Sequence, residues 1–342
     1  MSDLRNIIVI GASAGGIPAL KEVVSGLKAD DAAVLVVLHL SRNSNSEIIA
    51  SGLRKHTPLT CVVGSEGMEL RKGYLYIAPP EHQMMVKDDT IRINQGPHEN
   101  RYRPSIDVLF RSAAVNYRNR VVGIILTGML DDGTSGMWAI KRSGGICIVQ
   151  DPSEAQFPDM PRSVINKMDV DHLAPVADIP ALVNEILDKP LPPDKPVPYE
   201  LKIEADLTER MMSDINQLKA IADQSDFICP DCGGGLWAVK DDPTHRYRCH
   251  TGHVFNEKLL QDLQDENIEE SVWVCIRMLE EKYNLLMLMA NREKKTGDTR
   301  VADAYQRRLD DLSKHISRFK SLLSRLTEDL HDQKILTSNH RP

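Results

Sequence analysis

The chain of 342 residues is long enough for two or three domains with cores of their own, so neither disulfides nor oligomerisation is needed to explain folding. Apolar residues make up 42% and charged residues 27%, which excludes the disordered and collagen-like classes. Lys and Arg number 42 against 49 Asp and Glu, and the resulting net charge of −7 disfavours nucleic acid and anionic membrane surfaces as partners.

Met1 to Arg5 lead into only a short apolar stretch, without the basic, apolar and small-residue regions of a signal peptide. No segment approaches the ~20 apolar residues of a membrane span, so a cytoplasmic protein without membrane insertion is expected. From residue 6 to 189 short apolar runs alternate with amphipathic stretches, the pattern of an α/β domain with a doubly wound, mostly parallel sheet. Residues 7–10 read as a strand, then a Gly/Ser turn, then a helix beginning near Pro18. Residues 33–38 read as a strand buried on both faces and 46–55 as a helix. Between 59 and 94 shorter strands and a hairpin turning at Asp88-Asp89 are expected. Ser105 is placed to cap a helix running to about Val115, with Asp107 favoured in its first turn by the helix dipole. A strand over 121–126, a helix over 134–142 and a strand over 146–149 follow.

Five prolines, Pro190, Pro192, Pro193, Pro196 and Pro198, make a semi-rigid spacer and mark a boundary. The expected organisation is a first domain over 1–189, a linker over 190–199, a small Cys/His module over 200–256, an antiparallel helical hairpin over 257–330 and a loose tail over 331–342. In the hairpin Val272, Ile276, Leu279, Tyr283, Leu286 and Met289 form one apolar stripe. Leu309, Leu312, Ile316, Phe319, Leu323 and Leu326 form the other, with Gly297 as the breaker between them.

Chemistry concentrates at the ends of the apolar runs. Gly11-Ala12-Ser13-Ala14-Gly15 fits a G-x-S-x-G nucleophile turn between strand and helix. Gly11-x-Ser13-x-x-Gly16 is also a degraded phosphate-binding G-x-G-x-x-G, and the local pattern leaves both readings open. His39 closes the run 33–38, and Asp131-Asp132 lies just past 121–126. In a doubly wound sheet these strand ends share one edge, so a hydroxyl, an imidazole and a carboxylate are offered together. Taken singly, His39 also reads as a structural residue and Asp131-Asp132-Gly133 as a turn and helix cap. The chain order Ser, His, Asp differs from that of the α/β-hydrolases.

These segments resemble the catalytic domain of the chemotaxis protein-glutamate methylesterases, the CheB family, over residues 6–187. Val9-Ile10-Gly11-Ala12-Ser13-Ala14-Gly15-Gly16 is similar to the family's nucleophile segment, His39 to its histidine, and Leu126-Thr127-Gly128-Met129 with Asp132-Gly133 to its acid segment. Tyr76-Ile77-Ala78-Pro79-Pro80, the run Arg103-Pro104-Ser105-Ile106-Asp107-Val108-Leu109-Phe110, and Gln150-Asp151-Pro152 with Met160-Pro161 extend the match. The resemblance implies Ser13 as nucleophile, His39 as base, Asp132 rather than Asp131 as acid, and an oxyanion and substrate-binding site at Ala14 and Met129. It implies a serine carboxylesterase that hydrolyses glutamate γ-methyl esters, and deamidates glutamine, on methylated chemoreceptor-like proteins without a catalytic cofactor. The family usually carries Asn where Asp131 stands. Because the first strand starts at Ile7, the receiver domain that often precedes this domain is expected to be absent, and with it control by aspartyl phosphorylation within the chain. Arg101 and Arg103 are read as solvated loop charges ahead of receptor contacts.

Cys229-x2-Cys232-x16-Cys249-His250-x2-His253 has the spacing of a structural zinc site, with Cys229, Cys232, Cys249 and His253 as ligands and His250 as the competitor for the fourth place. Cys61, Cys147 and Cys275 read as ordinary buried thiols of a reducing compartment. A zinc-ribbon-like module isolated by the proline spacer would melt on chelation and leave the esterase active. The alternative to an enzyme is a non-catalytic signalling scaffold that docks signalling proteins through the zinc module and the C-terminal helices.

Overall fold

The computed structural model describes residues 6–28, 32–40, 44–211, 214–297 and 299–339; Met1 to Arg5 and the last three residues of the tail lie outside these. The chain divides into two units, Met1–Glu257 and Lys258–Pro342.

The first unit is built on seven parallel strands in the order β3-β4-β2-β1-β7-β8-β9, with β1 Ile7–Ala12, β2 Ala33–Leu38, β3 Thr60–Val63, β4 Tyr74–Ile77, β7 Val121–Ile125, β8 Ile146–Gln150 and β9 His172–Ala174. Alternate residues of each strand point to opposite faces, and both faces are covered. Val9, Leu35 and Val37 pack with helices α3 Ile106–Tyr117, α4 Thr134–Arg142 and α5 Asp159–Lys167. Ile8, Ile10, Val34 and Val36 pack with α1 Gly16–Ser25, α2 Ser46–Leu53 and α6 Ile179–Leu187. Burial on two sides is why the central strands are written as unbroken apolar runs. The hairpin of strands β5 Gln83–Lys87 and β6 Thr90–Asn94 turns at Asp88 and Asp89, both left-handed (φ 48° and 55°), as a two-residue hairpin turn requires.

The remainder of this unit holds helices α7 Tyr199–Arg210 and α8 Ile215–Ile221 and a four-stranded antiparallel sheet of β10 Ala222–Ile228, β11 Gly235–Val239, β12 Arg246–Cys249 and β13 Val254–Asn256. The proline-rich segment runs inside the unit. Val197 and Leu201 are buried in the same core as α3, and the Pro192 carbonyl accepts from Asn119 Nδ2 at 2.8 Å.

The second unit pairs α9 Glu257–Thr296 with α10 Thr299–Asn339, around Gly297 (φ 86°). Leu286 and Ala290 meet Leu309 and Leu312, while Val272 and Ile276 meet Leu323, which fixes the pairing as antiparallel. The backbone of α10 continues helical to Asn339, where the sequence reads as loose past Leu330; no Gly or Pro occurs before Pro342 to end it. Cys61 and Cys147 are buried as expected, but Cys275 is exposed, because it lies off the apolar stripe of α9.

Candidate active site

β1 lies between β2 and β7 in the sheet, so the loops that leave these three strands converge at one edge. Ser13 follows β1 directly. Its N–H donates to the Thr127 carbonyl at 3.0 Å, and the Ala12 carbonyl accepts from the His39 N–H at 3.0 Å, so Ser13 and His39 leave adjacent strands side by side. Gly15 takes the left-handed conformation of the turn (φ 70°), and a Cβ there would meet Gln156 Oε1 at 2.6 Å. Across the edge, a Cβ on Gly128 would lie 2.0 Å from Met160 Sδ and 2.9 Å from Ser13 Cβ, so only glycine lets the β7 loop approach the serine.

His39 Nε2 and Asp132 Oδ2 are 2.8 Å apart, and both side chains are buried. The carboxylate is an acceptor, so Nε2 carries the proton and Nδ1 keeps its lone pair. Nδ1 is buried and has no hydrogen-bond partner among the described residues, so its lone pair is uncommitted. No hydrogen bond joins Ser13 to His39 among the described residues; such contacts commonly tighten only with substrate in place.

Asp132 occupies the N-terminus of α3. Its Oδ2 accepts from the Ile106 N–H at 2.7 Å and its Oδ1 from Ser105 Oγ at 2.9 Å and the Asp107 N–H at 3.3 Å. Burial pushes its pKa up, but the bonds from His39, Ile106 and Ser105 outweigh that and hold it below the usual carboxylate range. Asp107 goes the other way: burial and the neighbouring Asp132 charge hold its carboxyl well above that range. Its Oδ1 accepts from the N–H groups of Gly133 at 3.0 Å and Gly136 at 2.6 Å, pinning the start of α4. The sequence places Ser105 and Asp107 as local aids to their own helix. Instead Ser105 makes no side-chain cap, and both residues spend their polar atoms on the loop that carries Asp132.

Tyr102 is a site residue that sequence reasoning misses. Its ring lies flat on the His39 imidazole, with centroids 3.5 Å apart and planes 7° from parallel. Burial and the charges of Asp132 and Asp131 push its hydroxyl up to about 12. Asp131 accepts from Asn256 Nδ2 at 2.5 Å. Arg103, read as a solvated charge, pairs with Glu81 at 3.2 Å and donates to the Gly96 carbonyl at 3.1 Å.

At Ala14 and Met129 the backbone N–H groups make no hydrogen bond among the described residues, while the flanking Gly128 N–H and carbonyl are engaged by Phe157 and Met160. The Met129 and Leu130 side chains are exposed at the rim, and Leu130 is left-handed (φ 63°).

Cys229, Cys232, Cys249 and His253 bring four ligand atoms within 4.8 Å of one another. Cys232 Sγ and Cys249 Sγ are 3.8 Å apart, and His253 Nδ1 is 3.5 Å from Cys249 Sγ and 3.7 Å from Cys229 Sγ. Metal–sulfur bonds of about 2.3 Å give a tetrahedron with edges of about 3.8 Å, so the donor set fits a metal ion. It is His253, not His250, that joins the three sulfurs; the His250 ring lies against Gly234.

The sequence model of the CheB methylesterase family matches residues 8–183. A Leptospira interrogans protein is 37% identical over 177 residues, which is 51% of this chain and 91% of the relative. A Geobacter metallireducens protein named protein-glutamate methylesterase/protein-glutamine glutaminase 1 is 33% identical over 183 residues, 52% of this chain and 50% of that protein. Among solved structures, the CheB methylesterase catalytic domain of Thermotoga maritima superposes with a TM-score of 0.51 at 29% identity, covering 54% of this chain and 99% of that one.

Proposed function

The chain belongs to the CheB methylesterase family, and from that premise we propose that it is a protein-glutamate methylesterase, and a protein-glutamine glutaminase, working through an acyl-enzyme on Ser13. The observation that carries the assignment of roles is the His39–Asp132 pair, with Nε2 tied to the carboxylate, Nδ1 left bare, and the His39 backbone leaving its strand next to Ser13.

In this mechanism His39 Nδ1 takes the Ser13 Oγ proton as the oxygen attacks the γ-carbonyl of a glutamate methyl ester. Charge developing on the carbonyl oxygen is met by the N–H groups of Ala14 and Met129. Asp132, held ionised by the start of α3, balances the imidazolium. The proton on Nδ1 passes to departing methanol, or to ammonia when the substrate is glutamine. Water then repeats the sequence and frees the carboxylate. No step needs a cofactor. The substrates are methylated chemoreceptor-like proteins, with signalling proteins docking through the C-terminal helices, in the cytoplasm; no helix among the described residues is long and apolar enough to cross a membrane. A zinc ion on Cys229, Cys232, Cys249 and His253 would be structural, since four protein ligands close its coordination. The buried His39–Asp132 pair supports an enzyme over a non-catalytic scaffold, which has no use for a buried imidazole with a bare nitrogen.

The test is methanol release from a methylated receptor fragment. The full chain releases methanol, and Ser13→Ala loses turnover by a factor on the order of 10⁶ with its fold intact. Near-normal release by that variant refutes the assignment.

A further inference from the structure

The Tyr102 ring is the only described group stacked on the His39 imidazole, and its position is set from outside the parallel sheet. Tyr102 ends a tight turn in which Glu99 and Tyr102 exchange backbone bonds of 3.2 and 2.9 Å. The two residues between them, Asn100 (φ 52°) and Arg101 (φ 69°), are both left-handed, as a two-residue hairpin turn requires. The turn is held from two sides, by Arg111 of α3 and Gln83 of β5 and by the Cys/His module. Val254 at the start of β13 accepts from the Asn100 N–H at 2.9 Å and donates to the His98 carbonyl at 3.4 Å. Buried Glu99 is held by Arg111 at 2.8 Å and by Arg248 of β12 at 3.3 Å. Asn256 reaches Asp131, next to the triad acid.

Val254 pairs with Arg248 in the β12–β13 ladder and follows directly on the metal-binding residue His253. Cys249 and His253 close the loop before it, through the Cys249 N–H to the His253 carbonyl at 3.0 Å and the His253 N–H to Cys249 Sγ at 3.2 Å. With an ion in place, two of its four ligands bracket this loop, and the next residue is the one that pairs with the Tyr102 turn. The connection from ligand to imidazole is therefore one residue of backbone, the hydrogen bonds of Val254 to the Tyr102 turn and one ring contact.

We propose that the Cys/His module is a positioning element of the esterase, in which metal held by Cys229, Cys232, Cys249 and His253 keeps Tyr102 flat on His39 and thereby sets turnover. The inference rests on the roles proposed for Ser13, His39 and Asp132. Tyr102 is a positioning residue: it prevents the imidazole from turning off Asp132 and shields it from water, and it takes no part in proton transfer.

The experiment uses the full chain as purified, after chelation, and after chelation followed by Zn²⁺. Tyr102→Ala lowers kcat by roughly 10–100-fold, the scale of a misplaced catalytic group, with KM changed by less than about twofold, while Tyr102→Phe restores most of the rate because the ring is kept. Chelation lowers kcat of the wild-type chain by a similar factor, Zn²⁺ restores it, and chelation of Tyr102→Ala causes no further loss. In NMR spectra the His39 ring protons, identified by their loss in His39→Gln, carry an upfield ring-current shift that disappears both in Tyr102→Ala and on chelation. Unchanged kcat and unchanged His39 shifts after the metal is stripped would overturn the proposal, as would independent, multiplying losses from chelation and Tyr102→Ala. Were Ser13→Ala to turn over normally, the esterase reading would fall, and the ring-proton shift would still decide whether the module sets Tyr102.

Discussion

Asp107 and Asp132 are buried together, and the Asp107 N–H donates to Asp132 Oδ1 at 3.3 Å, yet the two carboxyls are driven in opposite directions. Asp132 has the start of a helix and His39 to stabilise its charge. Asp107 faces that charge, and burial together with it holds the Asp107 carboxyl well above the usual range. Asn100 Nδ2 donates to Asp107 Oδ2 at 3.1 Å. A group whose folded pKa is raised contributes stability below its unfolded value, near ~4 for Asp, and loses it as pH rises through the folded value. Asp107→Asn removes that loss, so in urea denaturation its stability relative to the wild type should improve from pH 4 toward neutrality. A difference that stays flat with pH would contradict the raised Asp107 value. Ser13, His39 and Asp132 are legible in the sequence because each follows an apolar run at a strand end. Tyr102 is not, since a tyrosine between two arginines in a loop carries no signal of the ring it covers.

At the level of elements, α7 is joined to α3 and β12 by a buried ionic cluster. Glu204 pairs with Arg246 at 2.7 Å and with Arg111 at 3.2 Å, and Arg111 and Arg248 both hold Glu99. Burial pushes the Glu204 pKa up, but the three arginines outweigh it and hold the group far below its usual range. Its folded pKa is depressed, so the stability it contributes is present above the ordinary glutamate value, near ~4.3, and is lost as pH falls. Glu204→Gln leaves two buried guanidinium groups short of charge and is expected to cost on the order of 3–5 kcal/mol at neutral pH, read from the urea midpoint. A midpoint unchanged from the wild type would mean that the cluster is not structural. The strands and helices of the parallel sheet are written in local periodicity and can be read from it. The burial of Glu204 depends on an arginine 42 residues later, and no local pattern records it.

For the molecule as a whole, the proline-rich segment reads as a spacer that isolates the Cys/His region, from which insensitivity of the esterase to chelation follows. Prolines report only that a segment joins neither helix nor inner strand; they say nothing of what lies alongside it. In the folded chain Ser135 of α4 donates to Asp242 at 2.7 Å, Trp138 Nε1 donates to the Asp241 carbonyl at 3.1 Å, and Val254 pairs with the Tyr102 turn, so the Cys/His region is built into the unit that holds the site. That placement is the reason for expecting chelation to slow the enzyme.

Activation of a single serine by the His39–Asp132 pair is read out with a fluorophosphonate probe followed by peptide mass spectrometry. A single adduct on Ser13 is expected, formed at a rate that drops by orders of magnitude in His39→Gln and Asp132→Asn. Labelling of another residue, or of Ser13 at an unchanged rate in both variants, would contradict it.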